Sequence, residues 1–112
     1  MERRGVEPVP FQFRDLKVRV SSEPKVELRN GLDVAKELPA LLVRPIGRGS
    51  LDEIIFQLDI LHRLSRIGIR VINQPSAIEK AVDKYHALTV LEEKGVPVPR
   101  TIVAEDPRLA LE

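Results

Sequence analysis

The chain has 112 residues, of which 43% are hydrophobic, enough for one small domain with a core. Against 17 acidic residues stand 18 basic ones, and the net charge of +1 excludes a general phosphate-backbone binder, which would carry a clear basic excess. There is no cysteine, hence no disulfide framework and no thiolate ligand or nucleophile.

The elements follow in chain order. Met1 to Arg4 reads as the tail of a helix, with Gly5 at its C′ position. No apolar segment follows these charged residues, so they are not a signal peptide. Val6 to Phe13 alternates apolar residues with Pro8 and Pro10, which predicts an edge strand. Leu16, Val18 and Val20 alternate, as do Val26 and Leu28. With Ser21-Ser22-Glu23-Pro24 between them they predict a hairpin, and Asn30-Gly31 marks a further turn.

Ala40, Leu41, Leu42 and Val43 form a continuous apolar run, which predicts a strand buried on both faces. The loop Arg44-Pro45-Ile46-Gly47-Arg48-Gly49 ends it. Ser50 and Glu53 then form a capping-box pattern. Leu51, Ile54, Ile55, Leu58, Leu61, Leu64 and Ile67 follow helical spacing, and Gly68 ends that helix. Ile69, Val71 and Ile72 predict a short strand. Ser76 and Glu79 repeat the capping pattern, and Ile78, Val82, Tyr85, Leu88 and Leu91 line a helical face as far as Gly95. Thr101 to Ala104 predicts one more strand, and Asp106-Pro107 an N-cap with proline at N1. Strand, helix, strand, helix over residues 40–94 is a βαβ unit, so its strands should be parallel. A boundary falls near Asn73 to Ser76 or just after Gly95. No apolar stretch reaches the roughly 18 residues of a bilayer span. The expectation is a cytoplasmic protein whose partners include neither nucleic acid nor membrane.

Few residues point to chemistry. The Gly47-Arg48-Gly49-Ser50 loop precedes a helix N-terminus, where backbone N–H groups can hold an anion. The competing and simpler account is a tight turn with a serine cap. His62 and His86 lack ligand partners at metal spacing and read as structural. Asp52-Glu53 suits a helix N-terminus, and Glu92-Glu93 a solvated face. For Asp83-Lys84 the simple account is that Asp83 re-caps the chain after Val82 and Lys84 is solvated.

A resemblance sharpens that last pair. Val43-Arg44-Pro45-Ile46-Gly47 with Ser50, Val71 to Ile78, Asp83-Lys84 and Leu91 to Thr101 stand in an order that resembles the RimK-type α-L-glutamate ligases of the ATP-grasp superfamily. The resemblance covers Leu41 to Pro107. It implies an α/β fold, a small mostly parallel sheet flanked by helices of Rossmann-like, preATP-grasp type, with the first strand missing. It divides the chain into an incomplete preATP-grasp domain, 1–75, and a linker helix with the first segment of an ATP-grasp domain, 76–112. It implies ATP and Mg²⁺ as cofactors, and glutamate and a carboxylate acceptor as substrates. Lys84 would meet the ATP phosphates, and Arg44, Gly47 and Ser50 would lie in a loop on the substrate side. The acceptor would be a ribosomal protein tail, a pterin or deazaflavin cofactor, or a carrier protein. The run Ile46 to Leu51 points to the archaeal cofactor ligases. The second ATP-binding lysine, the glycine-rich lid and the Mg²⁺ ligands would lie beyond Glu112. On that reading the chain is truncated at both ends, binds ATP weakly at most and is not catalytic alone. The alternative from another class is a non-catalytic scaffold or dimerisation module, a homo-oligomer formed through an unpaired sheet edge.

Overall fold

The computed structural model describes residues 4–21, 26–46 and 48–111. The fold is α/β, with small sheets flanked by helices. It divides into two compact units, Met1–Pro75 and Ser76–Glu112.

The first unit opens on extended chain. Gly5 adopts a φ of +72, the left-handed conformation of a C′ glycine, while residues 1–3 of the expected helix tail lie outside the described residues. Val6 to Gln12 joins no ladder, contrary to the edge-strand expectation. Pro8 and Pro10 each lack an N–H, so half of the alternate donors needed for a ladder do not exist. A 3₁₀ turn, Phe13–Asp15, then feeds strand β1, Leu16–Val18.

The expected hairpin forms. β1 pairs antiparallel with β2, Val26–Leu28, in the register Leu16 to Leu28, Lys17 to Glu27 and Val18 to Val26. Residues 22–25 of its loop lie outside the described residues. Gly31 closes the turn after β2 at a φ of +89, donating to the Leu28 carbonyl at 2.9 Å. Asp33 follows as the N-cap of a one-turn helix, α1, Val34–Glu37. Its Oδ1 accepts from the Ala35 N–H at 3.0 Å and the Lys36 N–H at 3.3 Å, and Glu37 accepts from the Asp33 N–H at 2.6 Å. Val26, Leu28 and Val34 are buried, so this corner has an apolar centre.

The βαβ unit is the second part of the same unit. Strand β3 is Ala40–Leu42, helix α2 is Leu51–Ile67 and strand β4 is Arg70–Ile72. The two strands pair in parallel, as the crossover requires, with Leu41 opposite Val71; the Val43 N–H extends the ladder to the Ile72 carbonyl at 2.7 Å. The capping box at Ser50 is present in both directions, 3.2 Å from the Glu53 N–H to Oγ and 3.0 Å from the Ser50 N–H to the Glu53 carboxylate. Gly68 ends α2 at a φ of +113. Its N–H returns to the Ser65 carbonyl and the Ile69 N–H to that of Leu64, a Schellman closure.

Within this βαβ unit burial differs from the sequence expectation in two places. The apolar run of β3 is not buried on both faces: Leu41 is half-buried while Leu42 is 57% exposed. Among the described residues β3 has one neighbour in the sheet, β4, and α2 packs against β4. On α2 itself Leu58, Ile60, Leu61 and Leu64 are buried, but Leu51, Ile55 and Ile67 are not. A 17-residue helix is about 25 Å long, whereas a three-residue strand runs about 10 Å, so the sheet covers only part of the apolar stripe. Among the described residues the strands form two two-stranded sheets, one antiparallel and one parallel.

Past the division, α3 spans Pro75–Val82 and α4 spans Lys84–Glu93. The first of these starts one residue before the expected cap. Pro75 takes the first helical position, where its missing N–H is no loss, and Ser76 lies inside the turn. Tyr85, expected on the apolar face, is 62% exposed. Gly95, at a φ of +77, closes α4 in a second Schellman arrangement through the Glu92 and Leu91 carbonyls. Thr101 to Ala104 joins no sheet, and Ile102 and Val103 stay exposed; the expected strand finds no partner among the described residues. Asp106 caps a turn rather than a full helix. Its Oδ1 accepts from the Arg108 N–H at 3.0 Å, ahead of a 3₁₀ turn at Leu109–Leu111. None of the described residues forms a helix long and apolar enough to cross a membrane.

Candidate functional site

The parallel register decides which side chains leave the sheet together. Leu42 is opposite Ile72, so the chain exits β3 at Val43-Arg44 and β4 at Asn73-Gln74 on the same end. These are the C-terminal ends of the strands, the end at which open α/β sheets present ligands. Arg44 is exposed there, and so are Arg48, Gly49 and Ser50. Gly47 lies outside the described residues.

Ser50 is occupied structurally. Its hydroxyl accepts from the Glu53 N–H, and the Glu53 carboxylate holds the Ser50 N–H in return. A Cβ built on Gly49 would collide with that carboxylate, which lies against the glycine. The α2 N-terminus therefore already carries an anion, its own glutamate, on the backbone donor an external phosphate would seek. Of the two readings of this loop, the geometry supports the capped turn. Arg44 and Arg48 are exposed cations in this loop.

Asp83 and Lys84 separate in the same way. Asp83 has the extended backbone of an N-cap, φ −89 and ψ 97, and its Oδ1 accepts from the His86 N–H at 2.9 Å. It re-caps the chain at the joint between α3 and α4. Lys84 is the first residue of α4 and is exposed. An exposed ammonium on a flexible stem can serve as a point charge for a phosphate. Arg44 and Ser50 belong to the first unit and Lys84 to the second.

Other titratable groups form no reactive set. His86 is exposed at the start of α4 and His62 sits half-buried on α2. Among the described residues no three His, Cys, Asp or Glu side chains come together as a metal site. The Mg²⁺ that the resemblance implies thus finds no ligand set in them. The buried charge that sequence reasoning missed is Glu27, 5% exposed on β2. Lys17, its cross-strand partner, reaches its Oε1 at 3.0 Å and Arg19 reaches the same oxygen at 3.4 Å. Arg63 of α2 donates to the Arg19 carbonyl at 3.1 Å and ties helix to hairpin. The signal was present as a basic, apolar, basic pattern facing one acid, but it reads equally well as a solvated hairpin face. In the second unit the Arg108 guanidinium forms a fork with Asp106, at 2.7 to 3.2 Å. That side-chain contact, with the Arg108 backbone N–H, holds the Asp106 carboxyl below the usual range, and Asp106 raises Arg108 in turn.

A shallow groove of about 420 Å³ lies elsewhere, lined by Lys36, Leu38, Pro39, Ile67 and Gly68 among others. It sits at the N-terminal ends of β3 and β4, beside the last turns of α1 and α2. The helix C-termini there expose carbonyl oxygens and partial negative charge.

Fold and site together define an α/β unit that exposes cations at the carboxyl end of a parallel strand pair. The chain is similar over 98% of its length to the tetrahydromethanopterin:α-L-glutamate ligase of Methanosarcina acetivorans, at 35% identity. It is similar over 99% of its length to the ligase of the same name from Methanococcus maripaludis, at 33% identity. A protein named probable α-L-glutamate ligase from Legionella pneumophila (strain Corby) is 30% identical over 78% of the chain. These homologues support a glutamate ligase family for the chain. The alignments take in 35%, 36% and 27% of the three relatives, so the chain spans about a third of the length of the first two. No family profile matches the chain, and no solved structure matches it.

Proposed function

We propose that this chain supplies part of an ATP-dependent carboxylate–amine ligase that adds L-glutamate to a pterin-type acceptor. The observation that carries the reading is an alignment over nearly the whole chain, at 35% and 33% identity, with two ligases named for tetrahydromethanopterin and glutamate. The motif order from Val43 to Thr101 agrees with it, and so does the run Ile46 to Leu51.

In this chemistry the acceptor carboxylate takes the γ-phosphoryl group of ATP, and ADP leaves. The glutamate amine then attacks the acyl carbon of the acyl phosphate. The amide forms, phosphate departs with the bonding pair, and the amine gives up a proton. Catalysis of such a transfer rests on positioning and on fixed positive charge around the phosphoryl oxygens. Lys84 is the residue of this chain assigned to the nucleotide phosphates, and Arg44 the one assigned to the anionic substrate side. Asp83 caps the helix that begins at Lys84. No step is assigned to Mg²⁺ on the described residues. The compartment in keeping with this role is the cytoplasm.

The test is a chimera in which this chain replaces the matching residues of the Methanosarcina acetivorans ligase. The expected result is ADP release that requires both glutamate and tetrahydromethanopterin. Lys84→Ala in the chimera should lower it by about 10²-fold, the usual effect of deleting one preorganised charge contact. The 112 residues alone should give no turnover. A folded chimera, shown so by a cooperative thermal transition, that releases no substrate-dependent ADP would refute the proposal.

A further inference from the structure

We draw no further inference here: the strongest candidate, the open face of the β3–β4 pair on which Leu42 and Ile72 lie exposed beside Arg70, is an apolar surface for which nothing in the structure shows what covers it.

Discussion

Asp83→Ala should unwind the start of α4, and Asp83→Ser should not. The Asp83 carboxylate takes the His86 N–H at 2.9 Å, and its charge sits at the positive end of the helix. Losing an N-cap costs about 1 kcal/mol, within a range of roughly 0.5–2. Removing the negative charge from the helix end adds about 0.3–1 kcal/mol. Helix α4 has ten residues, below the about 12–15 at which isolated helices become marginally stable, and none of them is buried. Little packing therefore compensates. A loss of about 1–2 kcal/mol is a factor of about 5–30 in the local opening equilibrium. Amide hydrogen exchange should record that factor at His86, Ala87 and Leu88, while Leu61 and Leu64 in α2 keep their protection. Asp83→Ser retains an acceptor oxygen and should restore most of the protection, leaving only the charge contribution missing. Lys84→Ala should change exchange by less than about twofold, since an exposed helical lysine contributes within about 0.5 kcal/mol. Unchanged exchange at His86 in Asp83→Ala, or failure of serine to rescue it, would show that the cap does not hold this helix. The contrast also separates the two members of the motif: one caps a helix, the other is an exposed cation.

Core and loop give further expectations. Leu61→Ala removes a fully buried side chain from one of few apolar centres and should cost about 3–5 kcal/mol in urea unfolding, whereas Leu51→Ala, at 73% exposure, should cost under about 0.5; equal midpoint shifts for the two would contradict the packing described. Gly49→Ala should push the Glu53 carboxylate off the Ser50 N–H and weaken the α2 start by about 1 kcal/mol, measured by exchange at residues 51–54; no change there would mean the loop yields instead. The Asp106 carboxyl is depressed in the folded chain, so its contribution to the 106–111 turn is complete above the ordinary aspartate range and fades as pH falls through the lowered value. An NMR titration should find the Asp106 midpoint below that of a solvated aspartate, and Arg108→Ala should raise it; a midpoint unmoved by Arg108→Ala would remove the fork as the cause.

Much of the fold was legible because it is set by neighbours in sequence. Ser50 with Glu53, Asp83 three residues before His86, and Gly68 and Gly95 after their helices each act within one turn, so residue type and spacing suffice. The hairpin pairing and the parallel βαβ crossover were legible for a related reason: alternation and connection handedness leave few alternatives. Helix α1 was not legible, because four residues are too few to show a period.

The sequence by itself determined where α2 starts and stops, the cap before α4, which strands pair around α2, and which family the motifs point to. Only the tertiary structure decided which extended runs became strands and which apolar side chains became core. Val6 to Gln12 and Thr101 to Ala104 have strand-like composition but no ladder partner among the described residues, and a strand exists only when distant donors and acceptors meet. Leu42, Ile55 and Tyr85 satisfy apolar periodicity yet stay exposed, because burial depends on what faces a residue across space. The same holds for Ser50 and Lys84. The resemblance nominated both; in the structure Ser50 is a cap and Lys84 an exposed cation.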